Sequence, residues 1–217
     1  KSLLDSLTNQ SLVDAALSCL DTNTIKIGRK RITASSLVKA ISKKIKKDCN
    51  NTYLWLSNSA IRSESTIIRR ADKWVSEGYE FHGETYKLQR PFNWEVAPYT
   101  SRNHKYKIQS WYMIDEVLRA AEIDNNQDFF AIACEVALSW IDNFIFGDSI
   151  NQYAWYDMGT GQRAALLAFI TQQSLINFPK LHKNKNQENT CEDILKLIIA
   201  SQIHICELMD HERLTLH

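Results

Sequence analysis

Turn-making residues are scarce in this chain: 217 residues hold only six glycines and three prolines. Glycine and proline punctuate folds built of many short strands, so their rarity favours long helices. The apolar residues agree. Leu3, Leu4, Leu7, Leu12, Val13, Ala16 and Leu20 fall at helix-like intervals between Ser2 and Leu20. Leu37, Val38, Ile41 and Ile45 share one face of a helix expected from Ser35 to Lys47, and another helix is expected from Ser63 to Ser76. Beyond Lys105 the pattern is plain. One helix carries Ile108, Trp111, Tyr112, Val117, Leu118 and Ala121. The next, Gln127 to Phe146, carries Phe129, Phe130, Ala133, Val136, Ala137, Trp140, Ile141 and Phe144. A third starts at Gly161 and holds Ala164, Ala165, Leu167, Ala168 and Leu175. A polar loop, Lys180 to Asn189, precedes a last helix with Ile194, Leu197, Ile198, Ile205, Leu208 and Met209. Thr190 with Asp193 resembles the start of a capping box for it. Helices joined in this way run antiparallel as stacked hairpins, so the fold class is all-α, a solenoid or a closed toroid of helix pairs. No repeat of fixed length occurs, which disfavours tetratricopeptide and HEAT-type arrays.

Charge excludes little. Lys plus Arg number 26 against 25 for Asp plus Glu, a balance that argues neither for nor against nucleic acid. Locally the balance fails, because no acid interrupts the stretch from Lys26 to Lys47. That run is either a patch for an anionic partner or a solvated helix face, and its lysines favour the solvated face. A nucleic-acid reader is disfavoured, since the helix lacks the Arg, Asn and Gln set that reads bases. The five cysteines, Cys19, Cys49, Cys134, Cys191 and Cys206, are odd in number and none has CxxC spacing. They suggest no disulfide framework and no zinc site. His204, His211 and His217 stand too far apart for a helical metal pair, so neither a metal nor a cofactor is expected. No apolar run reaches the roughly eighteen residues of a membrane span. The chain opens on Lys1 without an initiating Met, and its compartment, cell envelope, periplasm or cytoplasm, is left open.

Two irregular stretches break the helical pattern, and both gather polar and aromatic residues. The segment Trp155-Tyr156-Asp157-Met158-Gly159-Thr160-Gly161-Gln162-Arg163 leads into an apolar helix. Aromatic faces there can stack on sugar rings or apolar ligands, and an arginine fork grips a carboxylate or sulfate in two places. Arg163 is read either as such a clamp or as the partner that orients Asp157. Upstream, Pro91 and Pro98 exclude regular helix across Pro91-Phe92-Asn93-Trp94-Glu95 and on to Tyr99, and Ser101-Arg102-Asn103-His104 follows. If loops at the same end of alternate helices line one mouth, the two stretches converge on a single cleft. The substrate-binding candidates are Trp155, Tyr156, Asp157, Arg163, Arg102, Asn103, His104 and Trp94. Between them and the preceding helix, Tyr79 and Phe81 alternate in Gly78-Tyr79-Glu80-Phe81-His82-Gly83, a short strand or extended arm.

From about Ala71 to the end, the sequence resembles the N-terminal helical domain of bacterial heparinase II/III-like polysaccharide lyases, especially those associated with capsule or cell-surface polysaccharide. Three motifs carry the resemblance. Ala71-Asp72-Lys73 with the Gly78 to Gly83 arm is similar to a short family arm with alternating aromatics. Pro91-Phe92-Asn93-Trp94 through Arg102-Asn103-His104 and Trp111 is similar to a family loop and helix, with His104 where Trp is commoner. Trp155-Tyr156-Asp157-Met158 through Arg163-Ala164 is similar to a family helix start. The resemblance implies an (α/α) toroid, here incomplete, with an acidic polysaccharide or oligosaccharide in its cleft. It also implies, for the full-length protein, β-elimination on a uronate polymer. Such chemistry needs donors to neutralise the carboxylate and a base, commonly Tyr or His, at the α proton. The family's catalytic Asn-His segment, a later Tyr and a β-sandwich domain are not matched here, and no Asn-His-Gly occurs. Asn103-His104 sits in the earlier loop and does not stand for that segment.

The expected organisation is therefore an N-terminal helical segment with the basic run, residues 1–62, and a toroid domain, residues 63–217, truncated at its C-terminus and inactive alone. Its missing partner would be the C-terminal domain of the same protein. Two alternatives stand beside the lyase reading. One is a glycoside hydrolase-type toroid with Glu95 and Asp157 as its carboxylates. The other is a non-catalytic scaffold of helical hairpins that binds polysaccharide or protein.

Overall fold

The computed structural model describes residues 9–19, 32–48, 62–81, 84–86, 92–94, 102–181 and 187–215. Within them the chain is all-α apart from one small hairpin. The helices are α1 (Asn9–Ser18), α2 (Ala34–Asp48), α3 (Glu64–Glu77), α4 (Arg102–Gln109), α5 (Tyr112–Ile123), α6 (Gln127–Phe144), α7 (Asp157–Leu181) and α8 (Gln187–Thr215). Strands β1 (Tyr79–Phe81) and β2 (Glu84–Tyr86) pair antiparallel, with Tyr79 opposite Tyr86. The expected extended piece from Thr24, the residues before Asn9, Glu95 and most of the loop around it lie outside the described residues.

Local sequence explains the starts of α2 and α6. Thr33 and Ser36 cap α2 reciprocally: the Ser36 amide donates to Thr33 Oγ1 at 3.3 Å, and the Thr33 amide donates to Ser36 Oγ at 3.0 Å. This is a capping box with serine in the third position. Asn126 caps α6 by accepting from the Asp128 and Phe129 amides at 2.9 and 3.4 Å. At the end of α3, Gly78 takes φ 109°, a conformation open to glycine, and its amide closes the last turn on the Trp74 carbonyl.

Three expected boundaries move. The helix expected through Ile108 and Ala121 is two helices, because Trp111 adopts left-handed φ 61°, ψ 32° between α4 and α5. α7 begins at Asp157 rather than Gly161, its first turn closed by the Thr160 amide on the Tyr156 carbonyl at 2.8 Å. α8 begins at Gln187, so Thr190 is a buried residue inside it and not a cap.

α8 is the centre of the molecule. It packs on α1, α2, α6 and α7. Its residues Ile194 to Ala200 are buried without interruption, as a helix surrounded on all sides requires. α7 runs antiparallel to it: Arg163 meets His204 near one end, and Thr171 meets Ser201 further along. Outward from this pair, α7 packs on α6, α6 on α5, and α5 on α3. Glu116 of α5, nearly buried, joins the last two by accepting from Arg70 Nε at 2.5 Å and from Arg62. Leu12, Val13 and Ala16 of α1 and Leu37, Val38 and Ile41 of α2 belong to the same hydrophobic core as α5 to α8. Among the described residues, packing does not break at residue 62.

Candidate functional site

The two irregular stretches do meet, through the N-terminal turns of α4 and α7. What they build has two layers, one buried and one exposed.

The buried layer is centred on Arg163, which is 0 % exposed. Its Nε donates to His204 Nε2 at 3.0 Å and one terminal nitrogen donates to the Gln109 carbonyl at 2.6 Å. The other donates to the Ala154 carbonyl and to Thr160 Oγ1. The guanidinium carbon lies 4.3 Å from the Trp140 ring centre and 5.7 Å from that of Trp155. Among the described residues no carboxylate pairs with it. Gln109 is the last residue of α4, so its carbonyl sits at the negative end of the helix dipole and offsets part of the charge. Burial pushes the guanidinium down to about 9, which still leaves it cationic at neutral pH. His204 therefore faces a cation and must accept. Its Nδ1 donates to the Ala200 carbonyl at 2.8 Å, leaving Nε2 as the acceptor. Burial, then the neighbouring Arg163 charge, push its pKa down to about 3.

This geometry corrects both readings of Arg163. It is neither a surface clamp nor the partner of Asp157. Its long side chain reaches inward and ties α7 to α8, to the end of α4 and to the loop before α7. Trp155 is a wall of the same cage, 5.3 Å from Trp140 and 5.1 Å from His204 between ring centres. Trp94 is buried too, its indole donating to Ser139 Oγ at 3.1 Å and its carbonyl accepting from Gln109. His104 points inward and is buried. Tyr79 of the extended arm packs edge-on against Trp74 at 4.8 Å, so it too is core. Four aromatic or polar candidates thus serve the fold.

The exposed layer holds the rest. Tyr156 is 39 % exposed, and Arg102, Asn103 and Asp157 are all exposed. Arg102 lies over the Tyr156 ring, 6.0 Å from its centre. Two tyrosines outside the candidate set extend the feature: Tyr106 meets Tyr156 at 5.7 Å and Tyr112 at 6.4 Å, both edge to face. Lys107 Nζ sits 5.1 Å from the Tyr112 ring centre. The result is a strip of three tyrosines with a cation on each outer ring.

The Trp111 break makes this strip. On an uninterrupted helix, residues six apart point about 120° apart around the axis and lie about 9 Å apart along it. Tyr106 and Tyr112 could not then touch. The left-handed turn at Trp111 folds Tyr112 back beside Tyr106, and no glycine or proline announces it. Gly159 completes the approach of α7: a Cβ there would lie 2.7 Å from Ser110 Oγ and 3.4 Å from the Tyr106 ring.

Chemically, the strip is suited to binding. Tyrosine rings offer apolar faces for stacking, and Arg102 and Lys107 carry charge that can pair with an anion. Asp157, whose Oδ1 accepts from the Met158 amide at 2.6 Å, adds an exposed acceptor for hydroxyls. Burial first, then Tyr106 and Asp115, push the Tyr112 phenol upward, the opposite of what a proton-abstracting tyrosine needs. Among the described residues no group of three His, Cys, Asp or Glu side chains gathers to hold a metal. None of their helices is long and apolar enough to cross a membrane. No protein-family model matches the sequence, and neither a curated protein nor a solved structure matches it significantly.

Proposed function

We propose that the chain is the polysaccharide-binding helical part of a heparinase II/III-like lyase that cleaves a uronate polymer by β-elimination in its full-length form. The observation that carries the binding role is the strip Tyr156–Tyr106–Tyr112 with Arg102 and Lys107 over its outer rings. It pairs the two chemistries an acidic sugar presents, an apolar ring face and an anion. The lyase assignment rests on the sequence motifs. The packed helices α3, α5, α6, α7 and α8, with α1 and α2 against the last two, supply the all-α hairpins from which an (α/α) toroid is built, and the toroid itself belongs to the proposal. The base and the leaving-group acid are assigned to a part of the parent protein other than this strip.

Isothermal titration of the chain with uronate oligosaccharides tests the binding role. Tyr156→Ala and Arg102→Ala should each weaken binding by about tenfold, the range of a modest hot spot, with melting temperature unchanged because both residues are exposed. Unchanged affinity in both variants would remove the strip from the site. Ultraviolet absorbance at new unsaturated ends, with the full-length protein, tests the lyase step; new saturated ends would point to hydrolysis instead.

A scaffold that binds protein has one specific observation in its favour. Met158 on α7 and Ile205 and Met209 on α8 are exposed where Gly161 faces Leu208 across the two helices.

A further inference from the structure

A second charged surface lies well away from the tyrosine strip. α2 is pinned to the core by Leu37, Val38 and Ile41, and Ser42 Oγ donates to the Leu175 carbonyl of α7 at 2.7 Å. Its opposite face exposes Ser36, Lys39, Lys43 and Lys46. These positions follow at intervals of three and four, so they form one line along the helix. Lys39 and Lys46 stand seven residues apart, about 10 Å at 1.5 Å per residue. None of the three lysines forms an ion pair with a described residue, and α2 contains no acid before Asp48. The overall charge is +1, so this line is a local excess and not a sample of a basic protein.

We infer that this lysine line is a second binding surface, along which a long acidic polysaccharide lies after leaving the tyrosine strip. The inference takes its polymer class from the function proposed above. A line of point charges on a rigid helix matches a polyanion with repeating charges better than a single small anion, which calls for convergent donors. The exposed line carries no apolar side chain to enter a bilayer. It has no arginine, asparagine, glutamine or aromatic ring with which to read or stack on bases. The contact at Leu175 lies eighteen residues along α7 from Asp157, 175 minus 157, or roughly 27 Å of helix. A disaccharide held at the strip cannot reach that far, whereas a polymer can engage both surfaces and gain from the linkage.

The test compares the full chain with its Lys39→Gln/Lys43→Gln/Lys46→Gln variant, titrated with a long polyuronate and with a uronate disaccharide at low and high salt. The triple variant should bind the polymer about tenfold more weakly at low salt and show a flatter salt dependence. Its disaccharide affinity should equal that of the parent. Unchanged polymer affinity overturns the inference. So does tighter lysine-dependent binding of duplex DNA or of phosphatidylserine vesicles than of polyuronate at equal salt. Tyr156→Ala separates the two surfaces. If it leaves the disaccharide unaffected while the lysines still govern polymer affinity, the strip fails and the lysine line stands; the converse result removes the line alone.

Discussion

Arg163 carries a full charge in the interior with only neutral acceptors around it, and that makes the stability His204 contributes depend on pH. The imidazole must stay neutral to accept from Arg163 Nε. Its pKa falls from an ordinary 6.5 to about 3 on folding, because burial and the adjacent cation both oppose a second charge. The sign follows directly. Between those values the unfolded chain binds the proton and the folded chain does not, so stability is fully present above pH 6.5 and is lost as pH falls toward 3. At pH 5 the loss is about 2 kcal/mol, near 1.4 kcal/mol for each pH unit below the unfolded pKa. Urea denaturation at pH 7 and pH 5 should show it, and in His204→Gln the difference should shrink. An equal acid sensitivity in that variant would place the effect on other groups.

At the scale of elements, the site depends on how closely α7 approaches the α4–α5 turn. Gly159→Ala puts a methyl group 2.7 Å from Ser110 Oγ, beside the Tyr106 ring and Arg163. Overpacking of this kind costs about 1–3 kcal/mol, so calorimetry should record a lower melting temperature. Tyr106 should move as well, weakening oligosaccharide binding; a variant that melts and binds normally would mean that the two elements have slack between them. The helices themselves were legible in the sequence. All eight apolar residues read from the α6 pattern are buried, because a 3.6-residue period records one face directly. The turn at Trp111 was not, since a tryptophan in a left-handed conformation is imposed by its fully buried surroundings and leaves no local signal. The role of Arg163 was hidden for a related reason. Its partners are two backbone carbonyls, the Thr160 hydroxyl and a histidine 41 residues away, whereas Asp157 nearby in sequence suggested a simpler pairing. Tyr156 and Arg102 were recognisable as aromatic and polar residues in the irregular stretches or at their ends. Tyr106 could be added only once the break between α4 and α5 was seen.

For the whole molecule, the decisive contacts join its two sequence ends. Five large apolar residues of α1 and α2, Leu12, Val13, Leu37, Val38 and Ile41, are buried in the core they share with α8. At roughly 1.5–3 kcal/mol apiece, they rival the stability of about 5–15 kcal/mol typical of a whole domain. The full chain should therefore unfold in urea as one transition. A chain begun at residue 63 should bind a hydrophobic dye and melt lower, whereas independent melting of the two parts would show that they are separate units. The central place of α8 also bears on synthesis. Translation delivers α1 and α2 first, yet the helix they rest against leaves the ribosome last of those described. Until it arrives part of their apolar surface waits for its final partner, and a pause just before Gln187 would lengthen that wait.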